Sequence, residues 1–438
     1  MFGPVLKGDL VSQTTEPAGE TKKGLLQTLG PGLITGASDD DPSGIATYSQ
    51  AGAQFGFGLL WTLLFCYPLM SCMQEISATI GRVTGRGIAG NMRRHYPRWL
   101  LYGIVLLVLG ANIINLGADI GAIGAAVTLL VGGPPLLYAA VFALISLVLE
   151  IYIPYHSYSR ILKWLTLALF SYVATVFVVH VPWGEALKAT VLPSLRLDVK
   201  FLIALVAVLG TTISPYLFFW QASLEVEEER AAPSDRPLLR APEQAKAQLG
   251  RIHLDTYAGM AFANIVAFFI MLTAAVTLHR NGITDIQTSA QAAEALRPVA
   301  GKFAFLLFTL GIVGTGLLAL PVLGGSAAYA VGEALHWPVG LERRSLHLRG
   351  FYGVLAVATV IGLGLNFVHI DPIKALFWSA VINGIVSGPV MVVMMLMASN
   401  SKVMGQFTLC NRNKVIGWIA TAVMIAGGIT IFATWGTG

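Results

Sequence analysis

The stretch ITGASDDDPSGIATYSQ, residues 34–50, places three consecutive aspartates directly before a proline, a serine and a glycine. The chain around it has 438 residues, of which 55% are hydrophobic and 12% charged, with a mean hydropathy of +0.70. Such a composition is typical of an integral membrane protein. A charged side chain at mid-membrane costs about 2.5–3.5 kcal/mol on insertion scales, so three adjacent carboxylates there require a functional reason.

The residues after the aspartates predict a broken helix. Pro42 cannot donate a backbone hydrogen bond, and Gly44 imposes no steric constraint, so the helix should unwind around DPSG. A second break is expected in VAVLGTTISPYLFFWQASLEVEEE, residues 206–229, at Ser214 and Pro215. Unwound backbone is tolerated at membrane depth only where it is buried in protein or lines a cavity. An aspartate beside free carbonyls then predicts a cation site.

Eleven apolar stretches are long enough to span a bilayer, at about 20 residues per span. They are residues 25–54, 58–81, 99–131, 134–154, 159–181, 199–225, 254–279, 302–334, 349–368, 373–398 and 415–435. The two broken spans are the first members of two successive groups of five, and these groups enter the membrane from opposite sides because five is odd. Paired interruptions in inverted halves are typical of a secondary transporter.

Lysine and arginine concentrate in the loops on one side of these spans. The positive-inside rule therefore predicts a multi-pass protein of the cell membrane, with its N-terminus in the cytoplasm and its C-terminus outside. Residues 1–24 would form a cytoplasmic tail, 25–398 the transporter core and 399–438 a cytoplasmic loop with the last helix. The polar stretch 226–253 is expected to be a flexible cytoplasmic connection, and the acidic run Glu225 to Glu229 a solvated helix end.

Several functions are excluded or disfavoured by composition. The formal charge of +5 is explained by basic residues in short loops, so we expect lipid rather than nucleic acid as the surrounding partner. Cys66, Cys72 and Cys410 match neither a disulfide framework nor a zinc site. No Walker-type nucleotide loop and no enzymatic constellation is present. We therefore expect no cofactor, no nucleotide and no enzymatic activity.

Two segments carry a resemblance to a known family. GPGLITGASDDDPSGIATYSQAG, residues 30–52, resembles the first helix of the natural resistance-associated macrophage protein (Nramp) family of divalent-metal transporters, whose motif there is Asp-Pro-Gly-Asn. GTTISPYLFFWQ, residues 210–221, resembles the sixth helix of that family, whose motif is Met-Pro-His. The resemblance implies an all-α membrane protein with eleven helices and the inverted five-plus-five repeat of the LeuT-like fold.

The resemblance also implies a metal site. Asp41 falls on the metal-binding aspartate of the family and is expected to be the central ligand. Gly44 replaces an asparagine ligand and Ser214 a methionine ligand, and Thr211 occupies the position whose backbone carbonyl joins the metal. The metal-site residues implied are therefore Asp41, Ser43, Gly44, Thr211 and Ser214.

A second group of residues is expected along the permeation path. Tyr216 and Gln221 stand where the family has histidines linked to proton movement, and Ala380 stands where many members have a glutamine. A gapless match places Asn115 and Ala118 on an acidic pair used for proton exit, whereas a shift of one residue places Asp119 there. Asp39 and Asp40 either bind cations or attract them at the mouth of a funnel, and Asn383 either faces the site through water or bonds a neighbouring helix.

These departures from the family motif favour a particular ion. Without the soft thioether, and with small residues that leave room for water, the site is expected to accept hard cations. The pattern is similar to the Nramp-related magnesium transporters, which implies transport of partly hydrated Mg²⁺ and Mn²⁺ without proton coupling. The alternatives are a proton-coupled Mn²⁺/Fe²⁺ transporter of the Nramp type, an organic-solute symporter on the LeuT-like fold, and an ion channel.

Overall fold

The computed structural model describes residues 35–36, 38–153, 164–341, 349–368 and 370–434. Within these ranges the regular secondary structure is entirely helical. The α-helices are α1 (Pro42–Phe55), α2 (Leu60–Thr84), α3 (Ile88–His95), α4 (Arg98–Val131), α5 (Pro135–Tyr152), α6 (Phe170–Val178), α7 (Trp183–Val191), α8 (Val199–Thr212), α9 (Pro215–Ala231), α10 (Ala245–Thr277), α11 (Ser289–Glu294), α12 (Arg297–Ala300), α13 (Ala304–Leu335), α14 (Arg349–Leu365), α15 (Pro372–Ala398), α16 (Ser401–Met404) and α17 (Asn411–Thr434).

Nine helical stretches of the described residues are long and apolar enough to cross a membrane. The number differs from the expected eleven at two places. The first expected span shares the stretch Pro42–Thr84 with the second, and its beginning, residues 25–34, lies outside the described residues together with the tail 1–24. The fifth expected span, 159–181, is represented by the shorter apolar helix Leu167–Val178, and residues 154–163 are not among the described residues.

The chain is interrupted at the two prolines that predict breaks. Residues 38–40 form a turn, Asp41 is extended with φ −70° and ψ 172°, and α1 begins at Pro42. Helix α8 ends at Thr212, Ser214 is extended, and α9 begins at Pro215. A proline in the first turn is compatible with both helices, because the missing N–H would have no intrahelical acceptor there.

Two glycines allow the interrupted helices to pack closely on their neighbours. A Cβ atom on Gly52 of α1 would lie 2.2 Å from the carbonyl oxygen of Met271 on α10. A Cβ atom on Gly210 of α8 would lie 2.1 Å from the carbonyl oxygen of Ala380 on α15. Helix α1 also packs against α8 and α15, while α4 packs against α13, α14 and α15. The two breaks therefore meet inside the bundle.

The polar stretch 226–253 differs from the expected flexible connection. Helix α9 continues to Ala231 and α10 begins at Ala245, so only residues 232–244 connect them. The backbone N–H of Leu238 donates to the carbonyl oxygen of Arg82 at 3.2 Å, and the Leu238 side chain is buried. The connection packs on the end of α2 because Leu238 supplies an apolar contact and Asp235 pairs with Arg82 at 2.5 Å.

The acidic run at the end of α9 is also not a simply solvated helix end. Glu225 is buried and accepts a hydrogen bond from Arg251 of α10 at 2.5 Å, and Glu228 lies 3.0 Å from the same guanidinium group. Glu227 accepts hydrogen bonds from the Tyr329 hydroxyl and from the backbone N–H of Leu341. The expectation failed because the partners come from other helices, which sequence spacing along α9 does not show.

Candidate metal site

Asp41 lies at the first break and is 1% exposed. Its Oδ1 atom accepts hydrogen bonds from the Ser43 hydroxyl at 2.6 Å and from the backbone N–H of Gly44 at 2.7 Å. These two bonds cap the N-terminus of α1, which explains locally why the helix restarts at Pro42. The Oδ1 atom therefore has a structural role, and a cation bound to it would share the atom with the helix cap.

The other carboxylate oxygen of Asp41 connects the break to two further helices. Its Oδ2 atom accepts hydrogen bonds from Asn115 Nδ2 of α4 at 3.1 Å and from the Tyr216 hydroxyl of α9 at 3.2 Å. Both donors were expected on the permeation path, and the structure brings both of them to the expected central residue. One buried carboxylate thus joins α1, α4 and α9.

The second break faces the first across Gly44. A Cβ atom on Gly44 would lie 3.3 Å from Thr211 Oγ1 and 3.4 Å from Tyr48 Cε2. The Ser214 hydroxyl donates to the carbonyl oxygens of Gly210 and Thr211, each at 2.9 Å. Ser214 is therefore turned toward the carbonyl end of α8, and the Thr211 carbonyl keeps one lone pair beyond this bond.

Asp39 and Asp40 are buried in the structure, 2% and 3% exposed. The Oδ1 atom of Asp39 is buried and has no hydrogen-bond partner among the described residues. Asp39 and Asp40 therefore do not lie at a funnel mouth open to water. Both carboxylates lie in the interior beside Asp41.

Asp119 is the residue whose position depended on the register of α4. Asn115 and Asp119 are four residues apart and therefore share one face of the helix. Asp119 is fully buried and lies close enough to Asp41 for the two carboxylates to repel each other. The backbone N–H of Ser43 lies near it, yet neither Asp119 oxygen has a hydrogen-bond partner of regular geometry. The α4 face at the site is thus formed by Asn115 and Asp119.

The remaining permeation-path residues lie near the second break. Oε1 of Gln221 accepts a hydrogen bond from the Thr35 hydroxyl, and its Nε2 atom has no partner. Ala380 contributes its carbonyl to the contact with Gly210. Asn383 is buried, and neither polar atom of its side chain is hydrogen-bonded.

Three polar residues at the site were not identified from the sequence. The Thr212 hydroxyl donates to the Val208 carbonyl at 2.6 Å, so the Tyr48 hydroxyl donates to Thr212 Oγ1 at 3.2 Å and joins α1 to α8. The Ser387 hydroxyl lies 2.5 Å from the carbonyl oxygen of Ile213, at the second break. The one sequence feature that could have identified them is their polarity, because a polar side chain inside a membrane protein is costly unless it is hydrogen-bonded.

The chemistry of the site is that of hard oxygen ligands. Among the described residues, no group of three His, Cys, Asp or Glu side chains is arranged to hold a metal ion. The side chains at the breaks offer carboxylate, hydroxyl and amide groups, and oxygen donors suit Mg²⁺, Ca²⁺ and Mn²⁺.

A helical bundle in which two interrupted helices meet at a buried carboxylate has the architecture of a secondary transporter. The family model described as "Natural resistance-associated macrophage protein-like" matches residues 32–434. The chain belongs to this Nramp family. Its relatives are membrane transporters, which confirms that the chain is not an enzyme.

Relatives and solved structures agree with this assignment. The chain is 28% identical over 416 residues to the divalent metal cation transporter MntH of Klebsiella pneumoniae (strain 342), covering 92% of this chain and 93% of that protein. A crystal structure of the Eremococcus coleocola manganese transporter matches with a TM-score of 0.76 at 17% identity, covering 96% of this chain and 89% of that chain. The inward-facing conformation of Mhp1 matches with a TM-score of 0.54 at 14% identity, covering 93% and 91%. These likenesses confirm the expected LeuT-like fold.

Proposed function

We propose that this protein is a secondary transporter of divalent metal cations, Mg²⁺ first and Mn²⁺ next, which carries them partly hydrated and without proton coupling. The observation that carries the proposal is the position of Asp41, a buried carboxylate between the two helix breaks with no cationic partner among the described side chains. A divalent cation is the natural partner of such a carboxylate.

The choice of ion rests on the donors and on the space around them. Gly44 and Ala380 contribute no side-chain ligand, and Ser214 offers a hydroxyl oxygen in place of a thioether. Mg²⁺ dehydrates reluctantly and is usually held by one or two carboxylates with several waters. The proposed ligands are Asp41, Ser43, the Thr211 carbonyl and Ser214, partly through water, with Gly44 leaving room.

The absence of proton coupling rests on the partners of Asp41. Among the described residues, the four donors to its carboxylate are a serine hydroxyl, a backbone N–H, an asparagine amide and a tyrosine hydroxyl. None of these groups titrates near neutral pH, since the reference pKa of tyrosine is near 10. Transport would then be driven by the ion gradient and the membrane voltage.

The proposal includes a location in the cell membrane, with the N-terminus in the cytoplasm and the C-terminus outside. The unequal distribution of arginine and lysine between the two sides supports this orientation. The proposed partners are the lipid bilayer and divalent cations. We propose no nucleic-acid or nucleotide partner and no cofactor.

A second candidate function is a proton-coupled transporter of Mn²⁺ or Fe²⁺. One observation favours it: Asp119 is a buried carboxylate beside Asp41 without a hydrogen-bond partner of regular geometry. Such a group is costly to keep charged and is suited to carry a proton. An organic-solute symporter is disfavoured, because the aspartates at the breaks would repel a substrate carboxylate.

Flux into liposomes separates these functions. The purified protein is reconstituted with a pH-sensitive dye inside, and uptake of Mg²⁺ and Mn²⁺ is compared at equal concentration. The proposal expects uptake of both ions, inhibition of Mn²⁺ uptake by excess Mg²⁺, and a flat internal pH. Acidification that requires the metal and is lost in Asp119→Asn would favour the proton-coupled function instead.

A further inference from the structure

A basic cavity lies away from the metal site, near the C-terminal ends of α2, α3 and α13 and the N-terminal end of α4. We name it the arginine pocket. It has a volume of about 530 Å³, and its lining includes Arg86, Arg93, Arg94, Arg98, Tyr102 and Leu335. Two adjoining cavities of about 300 and 430 Å³ share Arg86 and add Arg230 and Arg240. Guanidinium groups of three helices and two loops therefore converge on one region.

In the described part of the chain, the arginine pocket holds more positive than negative charge. Among the described residues, none of its four arginines forms an ion pair, and Arg93 instead contacts His336 Nδ1 at 2.7 Å. The carboxylates of the adjoining cavities are Glu229 and Glu333. The oxygens of Glu333 accept hydrogen bonds from the backbone N–H groups of Gly87 and Gly90, at 2.8 and 2.9 Å, and so cap the start of α3.

Titration of the groups around the pocket reflects this excess. Burial and the neighbouring Arg94, Arg240 and Arg93 lower the pKa of Arg86 below its usual value, and Glu333 offsets this shift only in part. Burial, Arg94 and Arg86 likewise lower the pKa of His95 below its usual value. An anion bound among the arginines would relieve their repulsion, which makes the pocket suited to a phosphate group.

The position of the pocket distinguishes a lipid phosphate from a soluble one. Helix α4 begins at Arg98, and its outward face is apolar from the next residue onward, with Trp99 75% exposed and Leu106 65% exposed. Tyr102 is also exposed and lines the pocket together with the exposed Leu335. Tryptophan and tyrosine at the start of an apolar face are typical of the membrane interface. The arginines thus lie at headgroup depth, with an apolar surface leading away for the acyl chains.

We propose that the arginine pocket binds the phosphate of an anionic phospholipid in the leaflet at this end of the bundle. Arginine binds phosphate oxygens through paired N–H groups, and basic pockets between membrane helices are suited to lipid headgroups. The N-terminus of α4, a helix of 34 residues, adds N–H groups beside Arg98. The site is separate from Asp41 and does not depend on the transported ion.

Lipid binding to the full-length protein tests the proposal. Native mass spectrometry in a neutral detergent measures the apparent affinity for phosphatidylglycerol and for phosphatidylcholine at fixed ionic strength. The pocket variant combines Arg93→Gln, Arg94→Gln and Arg98→Gln, all exposed residues. The matched control, which removes the same charge from exposed positions outside the pocket, combines Arg236→Gln, Lys402→Gln and Arg412→Gln. Unchanged melting temperature in lipid-free detergent checks that both proteins are folded, and the single variant Arg98→Gln replaces the triple variant if that one does not fold.

We expect the wild type to prefer phosphatidylglycerol, and the pocket variant to lose this preference by about tenfold or more. The control variant should stay within about twofold of the wild type. An equal loss in the control variant, or equal affinity for the two lipids, would overturn the proposal. Displacement of the lipid by millimolar inorganic phosphate at constant ionic strength would assign the pocket to soluble phosphate and also overturn it.

Discussion

Two groups of carboxylates in this protein have opposite surroundings. In the first, Asp39, Asp40, Asp41 and Asp119 lie around the helix breaks, and no described lysine, arginine or histidine forms an ion pair with them. We call them the aspartate cluster. In the second, which we call the ion-pair cluster, the buried Glu225 and the more exposed Glu228 share Arg251, and the partly exposed Asp235 pairs with the buried Arg82. The buried Glu225 therefore has a cationic partner, whereas the buried aspartates at the breaks have none among the described residues.

The difference indicates where a cation has to come from outside the protein. A buried charge without a counter-charge is strongly unfavourable, and a protein that needs rigidity supplies the partner itself. The ion-pair cluster does this at the polar end of α9. In the aspartate cluster, the described groups that donate to Asp41 are all neutral. A transported ion must be able to leave, so a fixed arginine at this position would compete with it.

Removal of the Asp41 charge should have the largest effect. Asp41→Ala is expected to reduce Mg²⁺ and Mn²⁺ uptake more than 100-fold, on the order of the loss of a charged ligand. Asp41→Asn should reduce uptake similarly while it keeps the cap on Gly44, because asparagine also caps helices. Uptake into liposomes measures both, with melting temperature as the folding check.

Asp198 provides the matched control for that loss. It caps α8 by accepting the backbone N–H of Phe201 at 2.9 Å, and it is exposed at the end of α8 opposite the second break. Asp198→Asn should transport at nearly the wild-type rate. Substantial uptake by folded Asp41→Asn, or a comparable loss in Asp198→Asn, would break the comparison.

In the ion-pair cluster, loss of the cation should act on stability instead of transport specificity. Arg251→Gln leaves Glu225 buried without its partner, and we expect the free energy of unfolding to fall by about 3 kcal/mol. The double variant Arg251→Gln with Glu225→Gln should recover much of this loss, because no unpaired charge remains. Thermal melting in one detergent measures both. A double variant that is less stable than Arg251→Gln would contradict this explanation.

The sequence predicted the breaks better than it predicted the partners of the aspartates. Pro42 and Pro215 specify interruptions through local geometry alone, and Asp41 could be identified from its neighbours. The face of α4 that meets Asp41 depends on the rotation of that helix, so Asp119 could not be placed from a linear match. Likewise, Glu225 lies on α9 and Arg251 on α10, and residues 232–244 separate the two helices. The contact of Arg251 with the acidic run forms only when α9 and α10 pack together.

The hydrogen bond from Tyr216 to Asp41 sharpens the comparison at a smaller scale. Tyr216→Phe removes one neutral donor from Oδ2 and should change the KM for Mn²⁺ by about two- to tenfold, with a smaller change in kcat. Tyr48→Phe is the matched control, since its hydroxyl donates to Thr212 and not to Asp41. Equal KM changes in both variants would indicate that packing, not the bond to Asp41, is responsible.

Of the variants described, Asp119→Asn should have the smallest effect, and the quantity that it tests is the pH dependence of metal uptake. If protons are not carried, Asp119→Asn leaves the ratio of metal uptake at pH 6 to uptake at pH 8 unchanged within about twofold. The rate itself is expected to change modestly, because Asp119 lies beside Asp41. A pH dependence that is present in the wild type and absent in the variant would assign a proton to this residue.

The location and hydration of the bound ion test the central claim most directly. Crystals grown with Mn²⁺ and measured at the manganese absorption edge should show an anomalous peak beside the Asp41 carboxylate, between the ends of α1 and α8. We predict that water molecules complete most of the coordination and that excess Mg²⁺ removes the peak. A peak distant from Asp41, a fully dehydrated ion, or a peak that excess Mg²⁺ leaves unchanged would contradict the account.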